Sequence, residues 1–196
     1  MNALERWNLE IRSEEWRYTW PPIAQGSRDS IARFFGLISR AGDGAIWYVT
    51  MALFAAFGGS RGLQAALHMA ATSLAALLLY RTLKRKTRRP RPFRAHEGII
   101  ARVPPLDEFS FPSGHTLHAV TFTLIACAYF PGTAGVLLPF TLLVATSRVV
   151  LGLHFPSDVL AAAIIGTVLA SLSLWLIPGV SLFADDGATH TPRARP

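Results

Sequence analysis

Charge is what this chain has little of: Asp, Glu, Lys and Arg together make 16% of its 196 residues, against about 25% in an average soluble domain. The deficit is uneven, because residues 109–147 contain no charged side chain at all. Such a composition excludes disorder, which needs high charge and low hydrophobicity, and argues against an ordinary soluble enzyme. Lysine is nearly absent, with only Lys84 and Lys86 beside 17 arginines. Cysteine is reduced to Cys127 inside an apolar run, which rules out an intrachain disulfide and reads as a packed thiol rather than a nucleophile. Residues 1–15 are polar and mixed in charge and lack the apolar core of a signal peptide, so membrane insertion rests on internal segments. No internal repeat or low-complexity tract is present, and the length suits one domain.

Apolar residues make 51% of the chain and mean hydropathy is +0.34. A helix needs about 20 mostly apolar residues to cross the hydrocarbon core. Five stretches approach this: 45–60, 63–80, 115–131, 133–148 and 158–177, with Pro131-Gly132 as the turn between the third and fourth. Residues 1–44 contain no span. Within them Ile31, Phe34, Phe35, Leu37 and Ile38 recur at helical spacing among Arg33 and Arg40, and Trp7, Trp16 and Trp20 precede them. That pattern suits an amphipathic segment in the membrane interface, or equally a helix packed on the bundle. The tail from Ala184 onward is rich in Gly, Thr, Pro and charge and reads as disordered.

Spans that alternate in direction bring four polar groups to one membrane face. The second span ends in Lys84 to Arg91, and the third starts after Phe111-Pro112-Ser113-Gly114-His115. The fourth ends in Ser147-Arg148, and the fifth starts near His154 and Asp158. Ionisable residues gathered in so apolar a chain mark a functional site. Lys84, Arg91 and Arg148 suit a doubly charged tetrahedral anion. Ser113 and Gly114 open a helix whose free N–H groups form an anion site, and a side chain at Gly114 would block the anion's approach. His154 and Asp158, four apart across Pro156, allow a carboxylate to hold one imidazole nitrogen while the other attacks phosphorus. His115 remains to protonate the departing oxygen. The surrounding Arg85, Lys86, Arg88, Arg89 and Arg94 read mainly as juxtamembrane charges that attract anionic headgroups. His118, one turn after His115, faces the same side, whereas His68 falls near the opposite surface as a packing or interfacial residue.

These residues resemble the tripartite signature of the type 2 phosphatidic acid phosphatases. Lys84, six residues and Arg91-Pro92 come first; Pro112-Ser113-Gly114-His115 follows; Ser147-Arg148, five residues, His154, three residues and Asp158 complete it. The resemblance implies His154 as the nucleophile that forms a phosphohistidine and Asp158 as its orienting partner. It implies His115 as acid and then base, and Lys84, Arg91, Ser113, Gly114 and Arg148 as the phosphate-binding set. It implies no cofactor and no metal, in keeping with the lack of a His/Asp/Glu metal cluster in the sequence.

The expected fold is all-α: an integral membrane helical bundle of about five transmembrane helices plus an N-terminal interfacial amphipathic segment. Residues 1–44 form that polar segment, 45–177 the membrane phosphatase domain and 178–196 the tail. The expected partners are a lipid phosphate or diphosphate substrate and membrane lipids, with no nucleic acid; oligomeric state stays open. Residues 93–111 are expected to form a loop over the site, with Ile99, Ile100 and Phe109 dipping into the interface. The place is a cell membrane crossed several times. Thirteen non-catalytic basic residues on the site face against three opposite lean that face toward the cytoplasm, whereas the resemblance implies the outward face. Two other readings stay beside this one: an anionic-lipid-binding membrane protein without turnover, and a haloperoxidase-like vanadate-binding enzyme.

Overall fold

The structure is a computed structural model that describes residues 29–96, 99 and 101–177. Expectations for residues 1–28, Ile100 and 178–196, including Trp7, Trp16, Trp20 and the tail, lie outside the described residues. Among the described residues the order is α1 (Asp29–Ala41), α2 (Ala45–Phe57), α3 (Gly59–Thr87), the single turn α4 (Pro92–Ala95), α5 (Gly114–Tyr129), a 3-10 turn (Pro131–Thr133), α6 (Ala134–Val150) and α7 (Pro156–Trp175). Every regular element there is helical, as the sequence implies.

The breaks between helices follow from local chemistry. Gly44 has φ +131°, a conformation other residues rarely adopt, and it separates α1 from α2. The α2–α3 hairpin closes through Gly58 and Gly59, and α3 then approaches so tightly that a Cβ on Gly62 would lie 1.9 Å from the Phe54 carbonyl oxygen. Ser113 caps α5, its hydroxyl accepting the Thr116 N–H at 3.5 Å. At the start of α7 the Asp158 carboxylate accepts the Phe155 N–H at 2.8 Å, with Pro156 at the first helical position.

α5 is the central helix, packed against α3, α6 and α7, while α2 pairs with α3. Lipid tails are as apolar as leucine, so helices in a membrane associate through small residues and interhelical hydrogen bonds. Both occur here. A Cβ on Gly166 of α7 would lie 2.9 Å from the Leu117 carbonyl oxygen of α5, and Thr123 and Thr141 share a 2.6 Å hydrogen bond between α5 and α6. Trp47, 1% exposed, stacks near Phe122 at 5.3 Å and Phe140 at 5.8 Å. The outward faces carry Leu53, Leu67, Leu74, Leu142, Leu160 and Leu172, all exposed, a belt that matches lipid rather than water.

Among the described residues three segments are long and apolar enough to cross a membrane: Gly59–Ala95, Pro131–Val150 and Pro156–Trp175. The chain is thus a multi-pass membrane bundle. The other two expected spans form shorter helices, α2 with 13 residues and α5 with 16, which at 1.5 Å per residue reach only about 20 and 24 Å. α1 packs against α6 with Ser39 buried, while Ile31, Phe34 and Leu37 stay exposed. One expectation for the loop over the site is corrected. Ile99 is buried against Phe155, with Phe93 and Val149 beside it, because the loop folds back onto the α6–α7 connection, where the Arg102 N–H donates to the Leu151 carbonyl.

Candidate active site

At one end of the bundle, the C-termini of α3 and α6 meet the N-termini of α5 and α7 around a cavity of about 640 Å³. Lys84, Arg91, Gly114, His115, Arg148 and His154 line it, six of the eight residues expected from the sequence. Ser113 and Asp158 lie behind the wall, each with 0% exposure. Ser113 is engaged as a cap and also bonds the Thr116 hydroxyl at 3.0 Å. A Cβ on Gly114 would meet Tyr80 no closer than 3.6 Å, an ordinary contact. The protein's own packing therefore does not demand glycine at that position.

His154 sits in the short connection after α6. The Leu153 and His154 N–H groups both donate to the Arg148 carbonyl, at 3.1 and 3.0 Å, and Leu151, Leu153 and Phe155 are fully buried. Nη1 of Arg91 donates to His154 Nε2 at 3.2 Å, which assigns the ring proton to Nδ1. Nδ1 is buried without a hydrogen-bond partner, and the nearest carboxylate oxygen is Asp158 Oδ2 at 3.7 Å. Asp158 thus lies at ion-pair distance rather than in a formed hydrogen bond. Burial, followed by the charges of Arg91, Arg148, Lys84 and His115, pushes His154 well below the ordinary histidine range. The ring is a neutral imidazole at neutral pH, the form that carries a nucleophilic lone pair.

Asp158 has its own buried partner. Its Oδ1 accepts from Arg89 Nη1 at 2.6 Å and its Oδ2 from the Phe155 N–H at 2.8 Å. Arg89 also donates to Ser157 Oγ at 2.6 Å, stacks over the Phe155 ring at 4.4 Å and is 1% exposed. This corrects the reading of Arg89 as a headgroup-attracting charge: the αL residue Arg88, with φ 46°, ends α3 and turns the chain inward.

The cations hold an internal anion. Lys84 Nζ donates to Asp107 Oδ1 and to the Phe109 carbonyl, both at 2.7 Å. Arg91 donates to the same Oδ1 from Nη2 at 2.8 Å and to the Asp107 carbonyl from Nε at 3.0 Å. Burial alone would raise Asp107, but its hydrogen bonds to Lys84 and Arg91 and their charges hold it below the usual carboxylate range. A carboxylate therefore occupies the donors that the sequence assigns to a phosphate.

His115 stands in the first turn of α5, its Nε2 paired with Asp43 Oδ1, and Arg148 Nη1 donates to Ser39 Oγ. His118 also lines the cavity, with Nδ1 bonded to the Gly114 carbonyl at 2.9 Å. His68 lies apart, packed on Tyr129 with Nδ1 3.3 Å from its hydroxyl. Sequence reasoning missed Asp43, Asp107 and the role of Arg89. The one signal available was the Gly42-Asp43-Gly44 triplet, a turn around a lone acid. Among the described residues no three of His, Cys, Asp and Glu are grouped to hold a metal.

The chain is 31% identical over 137 residues to decaprenylphosphoryl-5-phosphoribose phosphatase of Mycobacterium tuberculosis, covering 69% of this chain and 74% of that one. It is 28% identical over 116 residues to the undecaprenyl-diphosphatase BcrC of Bacillus subtilis, covering 59% and 60%. Its fold superposes with a TM-score of 0.67 on the crystal structure of a transmembrane PAP2 type phosphatidylglycerolphosphate phosphatase from Bacillus subtilis, at 22% identity over 90% of this chain and 87% of that one. The family model described as the PAP2 superfamily matches residues 65–181, a stretch that takes in all three parts of the signature, so the chain belongs to that superfamily and is classed with its lipid phosphate and diphosphate hydrolases.

Proposed function

We propose that the chain is a metal-independent phosphatase that hydrolyses a lipid phosphate or diphosphate through a phosphohistidine on His154. The observation that carries this reading is the contact of His154 Nε2 with Arg91 at 3.2 Å, in a cavity also lined by Lys84, Arg148 and His115. A phosphate drawn in by those cations draws Arg91 off the lone pair, and Nε2 attacks phosphorus as the bond to the leaving oxygen breaks. His115 gives that oxygen its proton. Water then cleaves the N–P bond, delivering its own proton back to His115 and releasing inorganic phosphate. Asp158, held by Arg89 with its Oδ2 3.7 Å from Nδ1, stabilises the positive charge that the ring takes on.

The apolar half of the cavity supports a lipid substrate. Trp47, Tyr48, Leu77, Tyr80 and Phe122 wall it between α2, α3 and α5, so a hydrocarbon tail fits beside a phosphate at the cationic end. In this reading α2 and α5 complete a five-span bundle, α1 lies at its interface, and residues 93–111 gate access of the lipid. The basic loops around the site favour the cytoplasmic face. A reporter fused after Pro196 reads out on the opposite side of the membrane if this is right, and in the cytoplasm if the site faces outward.

The test is phosphate release in detergent with excess chelator, from phosphatidic acid, phosphatidylglycerophosphate and undecaprenyl diphosphate, for wild type and His154→Ala. Release that survives chelation and is lost in the variant supports the mechanism. Wild-type turnover by His154→Ala refutes it, and well-folded protein that binds these lipids without releasing phosphate is a binder instead.

A further inference from the structure

We infer that Asp43 is a positioning residue for His115: its carboxylate accepts a hydrogen bond from the ring's Nε2–H and thereby leaves Nδ1–H as the donor that serves the leaving oxygen. The inference rests on the reading of His115 as the acid. Asp43 lines the cavity and its Oδ1 pairs with His115 Nε2, 72 residues along the chain. Its backbone is held on both sides. Gly44 has φ +131°, and a Cβ on Gly42 would press on Val144 of α6 at 3.0 Å. The turn is tied back to α1 through the Gly42 N–H on the Ile38 carbonyl at 3.0 Å and the Asp43 N–H on the Arg40 carbonyl at 3.2 Å.

A second contact from the same place points the same way. Ser39, in the last turn of α1, accepts from Arg148 Nη1 and is 3% exposed. Two side chains of the site thus take their orientation from residues 39–43, which precede the stretch matched by the family model. A carboxylate on the far nitrogen of a catalytic imidazole fixes its tautomer and ring plane, and loss of the partner behind a metal-ligating imidazole costs about 10- to 100-fold.

The experiment compares Asp43→Asn, Asp43→Ala and Asp43→Glu with wild type in detergent, on phosphatidic acid and on an aryl phosphate. An aryl oxide leaves with little protonation, so it reports the site without the acid. Expected is a loss of kcat of about 10- to 100-fold on the lipid and a much smaller loss on the aryl phosphate. Asp43→Glu retains more than Asp43→Asn, and adding Asp43→Asn to His115→Ala costs nothing further. Equal losses on both substrates, or an undiminished loss in the His115→Ala background, overturn the inference. Asp43→Asn keeps the side chain's shape and carries the comparison should Asp43→Ala fail to fold. His154→Ala run in parallel separates the two readings: if it retains turnover the site itself is misread, whereas if it is inactive and Asp43→Asn acts alike on both substrates only the role of Asp43 falls.

Discussion

Arg89 and Asp158 form a fully buried ion pair, Nη1 to Oδ1 at 2.6 Å, with exposures of 1% and 0%. The same carboxylate presents Oδ2 to His154 Nδ1 at 3.7 Å. Asp158 is therefore clamped from behind by a cation that arrives from the end of α3, and the carboxylate beside His154 is positioned by a residue outside the three-part signature.

Breaking that pair from one side leaves a buried, uncompensated charge. Arg89→Ala is expected to lower stability by about 3–5 kcal/mol and to reduce turnover, read as a thermal midpoint and as phosphate release in detergent. Arg89→Met combined with Asp158→Leu, which removes both charges, should recover most of the stability and none of the turnover. An unchanged midpoint in Arg89→Ala means that the pair does not form.

Asp107 occupies donors of Lys84 and Arg91, so on the proposed function it competes with an incoming phosphate. Asp107→Asn should tighten inhibition by inorganic phosphate by about tenfold, the equivalent of about 1.4 kcal/mol and within the range of one charge-assisted hydrogen bond. Weaker inhibition in the variant would show that the loop carboxylate stays in place and holds the cations for the phosphate.

His154 lies well below its ordinary value of 6.5, and the sign of the linkage follows. As pH falls below about 6.5 the unfolded chain takes up a proton that buried His154 refuses, so the unfolded state binds more protons and stability drops. Between about pH 7 and about pH 5, wild type should lose more stability than His154→Asn, which has nothing to titrate there. Equal losses would mean that His154 protonates in the folded state as readily as in water.

Two glycines separate packing from chemistry. Gly166→Ala forces a methyl to 2.9 Å from the Leu117 carbonyl oxygen and should cost about 1–3 kcal/mol through overpacking. Gly114→Ala meets only Tyr80 at 3.6 Å, so its stability should stay within about 0.5 kcal/mol while KM for the phosphate substrate rises. A stable Gly114→Ala with unchanged KM would show that the anion does not approach that backbone.

Much of this protein is written locally in its sequence. Apolar runs of membrane length, the Ser113 cap, the Pro156 start of α7 and the Pro131-Gly132 turn each depend on a few adjacent residues, so the helices and the end of the bundle that carries the signature were legible from spacing. Lys84, Arg91, Gly114, His115, Arg148 and His154 met as expected because helix ends dictated where they must go. What the sequence could not disclose was which charge answers which. Arg89 looked like its basic neighbours, Asp107 like one more loop acid and Asp43 like part of a polar leader. Their partners lie 69, 16 and 72 residues away, and pairing over such distances is decided by how the helices cross and which side chains are cut off from water. Exclusion from water is a property of the assembled bundle, and it turned Arg89 inward, placed a carboxylate between Lys84 and Arg91 and left His154 neutral.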